Sequence, residues 1–332
     1  MLDNAPLFSL MGLQVTPHLL LMVLAILMCL AWAVFMMKQE GLSGKTAALF
    51  CLAVVPLALV FARLGDGLVN LHHTLDRPAR LLSFAEGGFT LYGAGLGLVL
   101  AALLAARFGK IRFLRLMDVL APACAMMVAF SRLLEGFIGL GYSFYVDNPA
   151  LHFFPLAIYD DYWETWALAL FVLEGLYALG LAFWLSKNRS RPGSGDRFSL
   201  MVFMYAVMQI WFESLRRDAY ARVGFIRVMQ LISAILAGAV LLYWLIRARK
   251  PFLHKTAAFG AYLALLGIVM LMEFAVEYKV GFLLALHQRW QLSQTAHYAL
   301  SYGVMLLAVL AALLLGLAAR QAALKTQNVI DR

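Results

Sequence analysis

Nine runs of about twenty predominantly apolar residues follow one another along this chain, at roughly 17–37, 46–68, 89–107, 117–140, 163–186, 198–216, 226–246, 256–273 and 297–319. A helix rises 1.5 Å per residue, so each run matches the roughly 30 Å thickness of a bilayer's hydrocarbon core. Backbone polar groups find no water there, which leaves only helices and closed barrels as spanning structures. The period-two alternation of a barrel strand is absent, so the chain reads as an all-α polytopic helical transmembrane protein of about nine spans. With 64% hydrophobic and only 14% charged residues, it holds more apolar surface than a soluble domain could bury. The first run follows Met1–His18, which carries Asp3 and no Lys or Arg. That is the wrong flank for a signal peptide, so the run is expected to be a true span.

A formal net charge of +9 could suggest nucleic acid, but its distribution indicates topology instead. Most of the 27 basic residues fall in alternate loops: Lys38 and Lys45; Arg107, Lys110, Arg112 and Arg115; Lys187, Arg189, Arg191 and Arg197; Arg247, Arg249, Lys250 and Lys255; Arg320, Lys325 and Arg332. The positive-inside rule puts those loops in the cytoplasm, the N-terminus outside and the C-terminus inside. No nucleic-acid partner is expected. The opposite loops, Asn70–Gly88, Tyr142–Tyr162 and Arg217–Arg227, hold the aromatic and unusual polar residues, so chemistry is expected on the outer side. The segment Ser186–Arg197 is the most linker-like stretch, and the chain shows no low-complexity region or internal repeat. Cys29, Cys51 and Cys124 lie in apolar runs without metal or redox spacing, so neither a disulfide nor a metal site is expected.

Charges inside such runs cost about 2.5–3.5 kcal/mol on insertion scales, which makes them candidates for function. Arg132 and Glu135 sit in the otherwise uncharged stretch Val119–Tyr145, three residues apart and so on one helix face. The guanidinium could clamp a lipid phosphate while Glu135 orients it or handles protons; the alternative is a salt bridge that fixes helix packing. Glu213 and Arg216 repeat the spacing at the end of the sixth run, followed by Arg217 and Asp218, where basic residues can also simply snorkel to the interface. Arg63 and Asp66 do the same at the end of the second, with interfacial anchoring as the competing reading. The glycine-rich stretch Glu86–Gly97 lacks the strand context and Lys-Ser/Thr of a phosphate loop, and close helix packing is the more economical reading. His72, His73 and His152 are read as solvated loop residues, His254 as an ordinary residue of the basic inner loop, and Asp160–Asp161 as an acidic loop.

Taken in order, these segments resemble the prolipoprotein diacylglyceryl transferases, from about Gly12 to Trp244. Arg63-Leu64-Gly65 comes first, then Gly87-Gly88-Phe89-Thr90-Leu91-Tyr92-Gly93, which looks like the family's Gly-Gly…His-Gly. Asp118 falls where the family has an Asp entering a span, and Ser131-Arg132-Leu133 is similar to its Gly-Arg-Leu. Tyr162-Trp163-Glu164 echoes Leu-Tyr-Glu, and Glu213-x-x-Arg216, Asp218, Gln230-Leu-Ile-Ser and Gly238 complete the match. The resemblance implies a seven-span core, phosphatidylglycerol or another anionic phospholipid as donor, and a prolipoprotein or other periplasmic-side acceptor at the outer face of the bacterial inner membrane. It implies no cofactor. It matches Arg132 and Arg216 to the family's essential arginines, with Arg63 and Gly93 as further lipid contacts and Glu213, Asp118 and Gln230 in support. Departures from the pattern are concentrated among proton-handling residues. Tyr92 stands for the family histidine, Glu135 and Leu140 for an Asn and a Glu, and the N-terminal tyrosine falls near Leu19.

Physical chemistry makes sense of this division. Moving a diacylglyceryl group to a thiol needs a clamp for phosphate charge, which arginine supplies. It also needs a proton acceptor, and tyrosine, with a reference pKa of about 10, is a poorer base than histidine. A carboxyl in a low-dielectric site, here Glu135, can take that role. The expected catalytic set is therefore Arg132, Arg216, Glu135 and Tyr92. The expected organisation is a transferase-like core over residues 1–248 and an additional two-span segment over 249–332. A divergent homologue that binds anionic phospholipid without this catalysis, or uses another acceptor, is the alternative; a transporter would call for a repeat and broken helices.

Overall fold

The computed structural model describes residues 2–10, 13–82, 88–146, 148–161, 164–188, 194–218, 221–249, 251–278, 289 and 294–330. Gly12, Glu86, Gly87, Tyr162, Trp163, Lys250, Arg332 and residues 189–193 of the linker-like segment, all considered above, lie outside them. Among the described residues nine helices are long and apolar enough to cross a membrane, matching the expected nine spans. The strands among the described residues form three small open sheets and no barrel.

The chain divides into two compact units, Met1–Met201 and Val202–Arg332. In the first, α1 (Pro17–Gln39) and α2 (Gly44–Val69) start at side-chain caps. Thr16 accepts from the Leu19 amide ahead of a proline at the first helical position, and Ser43 accepts from the Thr46 amide. A short helix α3 (Leu71–Asp76) follows, then α4 (Leu91–Gly109), α5 (Phe113–Leu133) and α6 (Leu170–Lys187). The main packed pairs are α2 with α4, α5 with α6, and α1 with α5.

Small residues set these distances. A Cβ on Gly93 would lie 2.3 Å from the Phe61 carbonyl oxygen, and one on Gly97 would lie 2.4 Å from that of Leu57, so α4 rests directly on the α2 backbone. The glycine-rich stretch is thus a packing face where it is described. Gly97→Val is expected to destabilise the protein by about 1–3 kcal/mol, because backbone cannot step aside as a side chain can. Gly95, whose Cβ would meet nothing within 4 Å, is the matched control, and Gly95→Val should stay near the parent. Thermal unfolding in detergent checks the pair, and equal midpoints for the two variants would refute the packing assignment.

Two features differ from the sequence expectation. The fifth span begins at Leu170 and not near 163, because Thr165–Ala169 form a strand. That strand, β5, pairs antiparallel with β4 (Ala157–Asp160) and β3 (Tyr142–Tyr145) in the order β3-β5-β4. An apolar run bordered by Thr165 and Trp166 suits a strand as well as a helix, and pairing decides the outcome. The sheet also takes His152 partly out of solution, leaving it half-buried. Its ring stacks on Trp166 with centroids 5.0 Å apart, and Nε2 lies 2.7 Å from the Val146 carbonyl oxygen. At the N-terminus β1 (Phe8–Leu10) and β2 (Leu13–Val15) form a small hairpin.

The second unit holds most of α7 (Asp196–Leu215), then α8 (Val228–Arg247), α9 (Phe252–Glu277) and α10 (Gln294–Ile330). Between α7 and α8, β6 (Arg222–Val223) and β7 (Ile226–Arg227) make a hairpin turned at Gly224, whose φ of +65° suits the first position of a type II′ turn. The final helix runs beyond the apolar stretch that ends near 319. Helices α9 and α10 pack on each other and on α8, and Trp211 Nε1 of α7 donates to the Tyr302 carbonyl at 2.9 Å.

Candidate functional site

Helix α5 ends at Leu133 and tightens into a 3-10 turn, Leu134–Ile138, which keeps Glu135 beside the last α-helical turn. Arg132 there is only 8% exposed. Its Nη1 lies 2.5 Å from Glu135 Oε1, and its Nε lies 2.9 Å from Oε2 of Glu174, a fully buried residue of α6. The approach of α6 depends on Gly175, where a Cβ would sit 2.5 Å from Leu133 Cγ. Gly141, at φ +76°, leaves room for the Glu135 carboxylate, which a Cβ there would approach to 2.9 Å. One guanidinium thus faces two carboxylates. Of the three side chains, Glu135 is the most open, at 14% exposed against 9% for Arg132 and none for Glu174.

Arg63, 2% exposed on α2, donates from Nη1 to the Gly88 carbonyl at 3.0 Å and from Nη2 to the Arg80 carbonyl, while Asp66 stands 3.8 Å away. Asp66 in turn accepts from Asn70 Nδ2 at 2.9 Å. Arg63 therefore fastens both ends of the 80–88 connection. Thr90 caps α4 through the Gly93 amide and also donates to the Ala62 carbonyl. Gly93 is occupied in helix contact, and Tyr92 stands half-buried in the same first turn of α4. Asp118 lies about 21 Å along α5 from Arg132. It accepts the amides of Gly195, Arg197 and Phe198 at 2.8–3.1 Å, so it holds the start of α7 instead of lying beside Arg132.

The second unit carries its own cluster around the last two turns of α7. Arg216, 8% exposed, pairs with Asp218 at 3.0 Å and lies 4.0 Å from Glu213, which accepts from Gln209 Nε2 at 2.8 Å. Arg227 donates to the Arg216 carbonyl through Nη2. Burial draws the Arg227 guanidinium below the arginine range, with Glu213 pulling the other way. Gln230 Nε2 faces Ser214 Oγ at 2.9 Å, the Ile210 carbonyl at 3.2 Å and Glu273 Oε2 of α9 at 2.6 Å. Glu213, Arg216 and Gln230 are thereby gathered as the sequence pattern suggested, and Gln209, Arg227 and Glu273 join them without having been singled out.

Glu174 and Glu273 were also discoverable in the sequence. Each is a lone acid in an apolar run, which the cost of intramembrane charge marks for attention. Their partners lie about forty residues away, beyond the reach of local spacing. His72, His73 and Asp76 gather on α3 within metal-ligating reach of one another, but all three are exposed and His72 already pairs with Asp76 at 3.2 Å. The three cysteines are free, with Cys29 and Cys124 buried.

Comparison with known proteins adds a family to this geometry. The family described as prolipoprotein diacylglyceryl transferase matches residues 5–246. Among similar proteins, the phosphatidylglycerol–prolipoprotein diacylglyceryl transferase of Parasynechococcus marenigrum is 30% identical over 223 residues, covering 59% of this chain and 79% of the relative. That of Halalkalibacterium halodurans is 25% identical over 232 residues, 64% of this chain and 75% of the relative. That of Finegoldia magna is 24% identical over 245 residues, 70% of this chain and 92% of the relative.

Proposed function

This chain belongs to the prolipoprotein diacylglyceryl transferase family, a transferase of the bacterial inner membrane with multiple spans, and we propose that it moves the diacylglyceryl group of phosphatidylglycerol to a lipobox cysteine at the outer face. In this reading residues 1–248 form the transferase core, 249–332 an added pair of spans, and the N-terminus lies outside. The observation that carries the chemistry is the buried trio of Arg132, Glu135 and Glu174.

The reaction forms a thioether bond between cysteine sulfur and the glyceryl carbon, and breaks that carbon's bond to the phosphate oxygen. The bonding pair leaves with glycerol phosphate, and the thiol proton needs an acceptor. Glu135, the most open carboxylate of the trio, takes it. Before the transfer, two carboxylates hold Arg132; afterwards Glu135 is neutral, and the guanidinium turns its charge to the phosphate just as negative charge builds there. Glu174 remains behind to hold the arginine in place. Proton acceptance and leaving-group stabilisation are thus coupled through one side chain. Arg216 is read as a phosphate contact and Tyr92 as a lipid contact, while Arg63 and Gly93 act from behind by fixing the 80–88 connection and the α2–α4 contact.

A direct test is expression in a strain depleted of its own diacylglyceryl transferase. Rescue of growth, with release of glycerol phosphate from phosphatidylglycerol by the purified protein, is the expected result. The occupation of Arg132 by two carboxylates also suits a binder without the chemistry. Lipid retention that depends on Arg132, with no rescue and no glycerol phosphate, would select that reading.

A further inference from the structure

Three polar atoms around the end of α7 are buried and have no hydrogen-bond partner among the described residues: Gln209 Oε1, Gln230 Oε1 and Arg227 Nη1. Their residues are 0%, 0% and 2% exposed. A buried polar group without a partner is destabilising, and native structures rarely keep several together without a use. The orientation of the Gln230 amide is fixed by its surroundings. The Ile210 carbonyl only accepts, Ser214 already donates to that carbonyl, and Glu273 Oε2 lies against Nε2, so the NH2 end must face them and Oε1 must face away. The Gln209 amide is set the same way by Glu213.

We propose that Gln209, Gln230 and Arg227 form a subsite for a vicinal diol, the glycerol end of a phospholipid head group, and that Glu273 of the C-terminal span pair is its positioning residue. A hydroxyl can donate to an amide oxygen and accept from a guanidinium, so two adjacent hydroxyls satisfy two free acceptors and one free donor together. A second phosphate fits poorly, because Arg216 already faces Asp218 and Glu213 and the Glu273 carboxyl stands beside Gln230. An ammonium head group would supply donors but would meet the Arg227 charge. Glu273 contributes by holding the Gln230 amide in the one orientation that aims Oε1 at the ligand. The added spans are then part of donor selection. This inference rests on phosphatidylglycerol being the donor, and its test does not require that transfer be observed.

The test measures retention of phosphatidylglycerol and of phosphatidylpropanol, which has the same charge and no diol, by purified protein in native mass spectrometry. The parent is expected to prefer phosphatidylglycerol by about tenfold or more, as sites built to bond a hydroxyl reject analogues lacking it. Glu273→Leu should abolish that preference, whereas Glu273→Gln, which still offers an oxygen to Gln230, should keep it. A parent without the preference, a folded Glu273→Leu protein that retains it, or loss in Glu273→Gln equal to that in Glu273→Leu would overturn the proposal. Competition with soluble glycerol 1-phosphate separates the sources of the diol. Displacement of the lipid supports a head-group subsite shared with the product, and tight Glu273-dependent binding of glycerol 1-phosphate without lipid preference would overturn the lipid assignment. Absence of any transfer alongside a Glu273-dependent preference would defeat the proposed reaction and leave the subsite standing.

Discussion

Arg132→Leu is expected to abolish glycerol phosphate release and to lower the stability of the protein by about 3–5 kcal/mol, the usual cost of removing one partner from a buried ion pair. The magnitude follows from what remains behind. Glu174 is fully buried and Glu135 nearly so, and both currently share one guanidinium. Without it, two carboxylates face each other at the end of α5, with little water to screen them. A stability loss alone would fit a purely structural salt bridge, so Arg132→Lys is the informative companion. Lysine restores a positive charge between the two acids but cannot bond both and a phosphate in one plane. Arg132→Lys should therefore recover most of the thermal stability in detergent while release stays down by about 10²–10³-fold, the effect of losing a charge-stabilising donor. A lysine variant with parental turnover would reduce Arg132 to a counterion and remove it from the chemistry.

The architecture was largely legible in the sequence because a bilayer restricts the alternatives. Apolar runs of spanning length have one economical structure, and among the described residues the nine runs appear as nine helices. The error at the fifth span has the same origin. Thr165–Ala169 is apolar enough to count toward a helix, and only its pairing with Ala157–Asp160, invisible to any local window, makes it a strand. The sites divide similarly. Arg132 with Glu135 and Arg216 with Glu213 could be paired from spacing, because residues three apart share a helix face. Glu174 and Glu273 complete those clusters from other helices. Nothing in their own neighbourhoods says which arginine or glutamine they meet. The glycine-rich stretch shows the converse. Its motif-like appearance at Gly93 and Gly97 is explained by contact with backbone carbonyls of α2.

Glu135→Gln is expected to reduce transfer by about 10²–10⁴-fold, the contribution typical of a positioned general base, while leaving the fold intact. The substitution keeps the shape of the side chain and an oxygen for Arg132 Nη1 to bond, and Glu174 still neutralises the guanidinium. Stability should consequently change far less than in Arg132→Leu. Removing the carboxylate charge also changes the cluster from one cation with two anions to one of each. Binding of anionic lipid should hold or improve as turnover falls. That opposition distinguishes a base from a binding residue, since loss of a binding contact would weaken retention and turnover together. The matching experiment is Tyr92→His, which places a histidine where the family carries one. This change should restore part of the activity lost in Glu135→Gln, because imidazole is the better base near neutral pH. Full parental transfer by Glu135→Gln alone would show that the thiol needs no base from this trio, and the coupling of proton acceptance to Arg132 would fall with it.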